Sequence, residues 1–151
     1  MLFTLLLSTL TACEYFETHP YDTNIKGEQG LTIKNVAKIE SMNIDSNEFR
    51  FAVISDTQGY YDELEEAVGV LNRIEDLDFV VHCGDLTDFG LRKEFEYQRN
   101  ILLRLNVPWV TIIGNHDCLG TGRIVYEEIF GSVNYAFTAG TTRFICLNTN
   151  A

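Results

Sequence analysis

Basic residues are scarce in this 151-residue chain: 11 Lys and Arg stand against 22 Asp and Glu, a formal net charge of -11. A nucleic-acid groove needs Lys and Arg clustered against phosphate, so none is expected, although a small anionic substrate held through metal ions is not excluded. Proline is rarer still, with two residues, and no low-complexity run occurs, which argues against wholesale disorder. No apolar run approaches the roughly 20 residues of a membrane-spanning helix. The four cysteines include no C-x-x-C spacing, so neither a zinc knuckle nor a redox pair is indicated. Also missing are Gly-x-Gly-x-x-Gly, Gly-Lys-Ser/Thr and Gly-x-Ser-x-Gly, and with them a dinucleotide fold, a phosphate loop and a serine hydrolase elbow. What remains is a chain 46% hydrophobic, long enough for one domain with its own core.

The chain opens with "MLFTLLLSTLTAC", uncharged and apolar apart from Ser and Thr, which reads as a secretory h-region. Its end, Leu10-Thr11-Ala12-Cys13, resembles the bacterial lipobox. That resemblance implies a signal peptide over residues 1–12, a lipid on Cys13, and a lipoprotein of the bacterial cell envelope, membrane-anchored and facing the periplasm or cell exterior. Residues 13–47 are polar and turn-rich around a short apolar patch from Leu31 to Ile39, and are expected to form a tether, with His19 solvated. The folded domain is expected over residues 48–151. Cys83 and Cys146 lie in apolar runs and are expected as small buried hydrophobes.

Within that domain the pattern alternates. "FRFAVIS" (Phe49 to Ser55), "FVVHC" (Phe79 to Cys83) and "WVTII" (Trp109 to Ile113) are strand-like apolar runs. Between the first two, Leu64, Ala67, Val68 and Leu71 recur at helical spacing behind a capping box at Asp62 and Glu65; between the second and third, Leu91, Phe95, Leu102 and Leu105 do the same. A shorter helix is expected around Arg123 to Phe130, stopped by Gly131. This order implies an α/β fold, a parallel sheet covered on both faces. The final stretch, "VNYAFTAGTTRFICLNTN", reads as a hairpin turning at Gly140.

The three strands end alike: Asp56-Thr57-Gln58, Gly84-Asp85-Leu86-Thr87-Asp88, and Gly114-Asn115-His116-Asp117. These endings fall about 30 residues apart, the length of a βαβ unit, and right-handed crossovers bring all three to the carboxyl edge where ligands bind. With strands about 4.8 Å apart, Asp56, Asp85 and Asn115 can converge. Two carboxylates that close repel unless a proton or cation lies between them, and a pair of metal ions about 3.5–4 Å apart meets that need. His82, facing along an apolar strand, reads as a hydrogen-bonded core histidine, and Arg123 as a solvated helix start.

Together the motifs resemble those of the calcineurin-like metallophosphoesterases: an Asp-x-His, a Gly-Asp-x-x-Asp and a Gly-Asn-His-Asp, matched from Phe51 to Asp117. The resemblance implies a β-sandwich flanked by helices, and hydrolysis of phosphomonoesters or phosphodiesters by metal-activated hydroxide. Asp56 would ligate the first of two divalent ions (Mn, Fe, Zn or Mg), Asp85 would bridge both, and Asn115 would ligate the second. His116 would stabilise the phosphoryl transition state and protonate the leaving oxygen, oriented by Asp117, while a turn permitted by Gly114 delivers both. Asp88 would stand behind the ligands. Gln58 occupies the place of a metal-binding His, and its oxygen suits a hard cation better than zinc. After His116 no histidine follows, so the family's later lone His and Gly-His-x-His are missing. The expectation is therefore an N-terminal part of a longer enzyme, inactive by itself. An alternative is a non-catalytic envelope lipoprotein that keeps the scaffold as a binding module.

Overall fold

The computed structural model describes residues 19–42, 44 and 48–150, so the expected signal peptide and Cys13 lie outside the described residues. In chain order these residues form helix α1 (Leu31–Ser41), strand β1 (Phe51–Ile54), α2 (Tyr61–Leu71), β2 (Phe79–His82), α3 (Arg92–Leu102), β3 (Trp109–Thr111), a 3₁₀ turn (His116–Cys118), α4 (Gly122–Ile129), β4 (Tyr135–Ala139) and β5 (Thr142–Cys146).

β1, β2 and β3 lie side by side in that order and run parallel, with Ile54 level with His82 and His82 level with Thr111. Successive side chains on a strand point to opposite faces. Ala52, Ile54, Val80 and Trp109 accordingly pack toward α2, α3 and α4, in a core with Leu64, Val68, Phe95, Tyr126 and Phe130. Phe79, Val81 and Val110 face the other way, toward Ile39 of α1 and toward Phe137 and Cys146 of the hairpin. β4 and β5 pair antiparallel through Phe137 and Phe144, whose rings stack at 4.9 Å, and the ring of Phe79 stands edge-on to both. The result is a mixed α/β fold consistent with the expected metallophosphoesterase-like architecture, in which a helix-backed parallel sheet packs on a second, antiparallel one.

Two expectations change at the sheet and its helices. β2 and β3 are buried along their whole length, but β1 is an edge strand whose Phe51 and Val53 are 40% and 57% exposed, so the sheet is covered on both faces only away from β1. Asp62 does not cap α2: the turn that brings Tyr60 N–H to the Thr57 carbonyl (3.2 Å) starts the helix at Tyr61. Asp62 and Glu63 instead sit in the first turn, where the helix dipole favours acids.

The tether expectation needs a larger correction, because residues 31–41 form α1 and pack on the domain. Leu31, Asn35 and Ile39 recur every four residues and are buried together. The helix start is tied to the end of α4, with Thr32 N–H donating to the Phe130 carbonyl at 2.8 Å. The chain leading in is tied as well. Arg99, on α3, donates to the carbonyls of Lys26 (2.6 Å) and Glu28 (3.2 Å), and Thr121 donates to the Tyr21 carbonyl at 3.1 Å. His19 is exposed, as expected.

A candidate active site at the carboxyl edge of the sheet

The residues leaving β1, β2 and β3 interlock through their main chains. Asp56 N–H donates to the Gly84 carbonyl at 3.1 Å, and the amides of Thr57 and Gln58 both donate to the Asp85 carbonyl, at 3.1 and 3.2 Å. The Asp85 side chain then reaches the third loop, its Oδ1 accepting from His116 N–H at 3.0 Å. The loops that carry Asp56 and Gln58, Asp85, and Asn115 and His116 are thus joined along one edge.

Two of these residues also have an unusual backbone conformation, shared by Asp76 (φ 60°) outside the edge. Asp56 (φ 56°) and Asp85 (φ 53°) both adopt the left-handed region immediately after their strands. That conformation costs a non-glycine residue about 1 kcal/mol or more, and Asp tolerates it better than most. The turn in the third loop has another cause than the one expected. Gly114 is not left-handed; a Cβ there would run into the Asp85 carboxylate and amide, and one on Gly84 would meet Gly114 N at 2.7 Å. Both glycines let the second and third loops touch, and Gly84, at φ 99°, also needs the freedom of a residue without Cβ.

The side chains divide into two groups. Asp56 and Asn115 are exposed, Asp85 and His116 half-buried, all at the open edge. Gln58 is half-buried, and its Oε1 is shielded from solvent without a hydrogen-bond partner. A buried acceptor left unpaired is costly, and a cation is one group that would satisfy it. The potential donor set is therefore two carboxylates and two amide oxygens, all hard ligands that suit Mn²⁺ or Mg²⁺. Among the described residues no group of three or more His, Cys, Asp or Glu is arranged to hold a metal ion.

His116 Nδ1 donates to the Asp88 carbonyl at 3.0 Å, which leaves Nε2 as the free ring nitrogen. That hydrogen bond, assisted by the nearby Asp85, Asp88 and Asp117 carboxylates, raises the imidazole above its ordinary pKa. The expectation that Asp117 orients His116 is corrected here. Asp117 is fully buried and spends its carboxylate on Thr87 N–H (2.9 Å), Thr87 Oγ1 (3.0 Å) and Gly114 N–H (2.9 Å). Desolvation pushes its pKa up to about 6 against the lowering effect of those bonds. Its role is to clamp the second loop to the third, and the main chain of Asp88 aims the imidazole. The Asp88 carboxylate lies beside Gly59, behind the edge.

Other expectations resolve as follows. His82 is buried and hydrogen-bonded to Thr57 and Gly84, a core histidine as read. Arg123 is exposed and pairs with Glu127 at 3.1 Å. Cys146 is buried, but Cys83 lies just past the end of β2 and is exposed. The sequence reading missed Thr57, Thr87 and Gln98. Gln98 had a signal: it is a polar residue on the apolar face of α3, between Phe95 and Leu102, and is fully buried.

Fold and edge together define an α/β phosphoesterase domain. Residues 49–150 match the family model of calcineurin-like phosphoesterases, and the chain belongs to that family. No curated protein matches it.

Proposed function

We propose that this protein is a metal-dependent phosphoesterase that hydrolyses a phosphomonoester or phosphodiester at the carboxyl edge of its parallel sheet. The observation that carries the reading is the interlocked set of three loops, which joins Asp56, Gln58, Asp85, Asn115 and His116 along one edge. The unpaired Gln58 Oε1 supports the same reading, since a cation would satisfy it. Asp56, Gln58, Asp85 and Asn115 would hold two divalent ions of the Mn, Mg, Fe or Zn class, whose chemistry there is to polarise phosphoryl oxygens and acidify water.

The protein's own part is placement and proton transfer. His116 has Nδ1 committed to the Asp88 carbonyl, which leaves Nε2 for the substrate. Its raised pKa favours a proton on that nitrogen. As the bond from phosphorus to the leaving oxygen breaks, Nε2 gives that oxygen its proton, and the hydroxide left when a water has released a proton to solvent bonds to phosphorus in its place; a proton from solvent then restores His116. Asp117, by bonding Thr87 and Gly114, keeps the loops carrying Asp85 and His116 in register. Cys13 would carry a lipid that anchors the enzyme to a bacterial envelope membrane. No helix among the described residues is long and apolar enough to cross one.

A second reading is a binding module without catalysis, favoured by the absence of a third carboxylate, His or Cys in the metal set among the described residues. The test is hydrolysis of a chromogenic phosphomonoester and a phosphodiester with Mn²⁺, by protein expressed from its full natural reading frame. Activity abolished by chelator and reduced about 100-fold or more by His116→Ala supports the enzyme. Folded protein that binds Mn²⁺ and turns over neither substrate favours the module.

A further inference from the structure

Two of the four oxygen donors proposed above, Asp56 and Gln58, sit on one short loop, and the residue between them is held from below by a buried polar chain. Thr57 Oγ1 lies 2.8 Å from His82 Nε2 and donates to Gln98 Oε1 at 2.9 Å, while Gln98 Nε2 donates back to the Thr57 carbonyl at 2.8 Å. The proton directions follow from the far end. His82 Nδ1 accepts from Gly84 N–H at 3.2 Å, so the ring proton is on Nε2 and is given to Thr57 Oγ1. The hydroxyl proton of Thr57 is then free for Gln98. Every hydrogen bond of the chain then has one direction, with Thr57 Oγ1 accepting from His82 and donating to Gln98, and the loop is gripped at both its side chain and its main chain.

This arrangement is expensive for a domain that needs only packing. Gln98 is fully buried on α3 between Phe95 and Leu102, and His82 is 1% exposed. A buried polar network is worth its desolvation only when every member is satisfied, and it then fixes one geometry where an apolar contact would allow several. The geometry fixed here is that of the Asp56 to Gln58 loop. The same His82 ring accepts from Gly84, next to Asp85, so one side chain references the first and second loops to each other.

We infer that Gln98, Thr57 and His82 form a positioning relay, through which α3 and β2 fix the loop that presents Asp56 and Gln58. Its consequence for metal binding rests on the phosphoesterase reading. The test uses the full chain with Thr57→Val, which keeps shape and removes the hydroxyl, Thr57→Ser, which keeps the hydroxyl, and Gln98→Leu. Two quantities are read: amide hydrogen exchange at Asp56, Thr57 and Gln58 by NMR, and Mn²⁺ affinity by titration calorimetry. Thr57→Val and Gln98→Leu are expected to speed exchange of those three amides and weaken Mn²⁺ binding, each by about tenfold or more, with Thr57→Ser close to wild type in both. Wild-type exchange in Thr57→Val, or a Thr57→Ser variant as impaired as Thr57→Val, would overturn the relay, because methyl packing and not the hydroxyl would then be what holds the loop. If the wild-type chain takes up no Mn²⁺ yet the exchange pattern follows the hydroxyl, the relay stands and the metal reading falls.

Discussion

Lowering the pH should destabilise this fold through His82 in particular. Burial holds its imidazole down to about 4, against an ordinary value of 6.5, and the pull of Asp56 only partly opposes this. Protonation would also convert Nδ1, which accepts from Gly84, into a second donor. Between those two values the unfolded chain takes up a proton that the folded chain refuses. Stability is therefore complete above pH 6.5 and is lost as the pH falls toward 4. A gap of about 2.5 pH units at 1.36 kcal/mol each corresponds to about 3 kcal/mol, a large share of a typical domain's stability.

The 22 acidic residues also titrate on the way down, so the wild-type curve alone does not isolate the effect. His82→Gln does, because glutamine can still donate toward Thr57 and carries no titrating proton. The assay is urea unfolding of both proteins from about pH 7 to about pH 4, read as the difference in unfolding free energy. The variant should be the less stable at neutral pH, and the gap should close by about 3 kcal/mol across the range. A gap that stays constant would mean that His82 protonates normally inside the fold, and burial would not be what keeps the proton off.

Two further outcomes follow from the packing. Phe137→Ala removes a fully buried ring stacked on Phe144 and should cost about 3–5 kcal/mol by chemical denaturation. Arg99→Leu keeps bulk on α3 but abandons the carbonyls of Lys26 and Glu28; limited proteolysis should then cut near residues 26–30 much faster, with cleavage beyond residue 48 little changed.

Much of the fold was legible because β2 and β3 are buried on both faces, so their sequences are largely apolar, and the polar loops that follow them stand out by contrast. α1 was not, for a physical reason. It lies on the outside of the domain and needs only a narrow stripe, and that stripe places Asn35 between Leu31 and Ile39, so no apolar periodicity announces it. The site divides in the same way. Asp56, Asp85, Asn115 and His116 could be read as side chains of informative type at informative spacing. The atom that aims His116 could not, because it is the carbonyl of Asp88, which any residue would supply. Asp117 was misread because adjacency in sequence suggested contact, whereas within the 3₁₀ turn its carboxylate points back to Gly114 and across to Thr87.

The left-handed aspartates separate what the fold needs from what a metal needs. Asp85 stands at φ 53°, where glycine would be free of strain, and it places a carboxyl group on an edge it shares with Asp56. Its structural duties are the carbonyl that takes two amides from the first loop and the Oδ1 that takes His116 N–H. Asparagine can perform both, tolerates the left-handed region, and relieves repulsion between neighbouring carboxylates. If structure alone kept Asp85, Asn would serve as well. Asp85→Asn should therefore leave the unfolding free energy within about 0.5 kcal/mol of wild type, or raise it, while Mn²⁺ affinity measured by calorimetry falls by about tenfold or more. A variant that loses about 2 kcal/mol or more with Mn²⁺ binding unaltered would make the carboxylate a structural group, and the interlocked loops would then have to be explained without a cation.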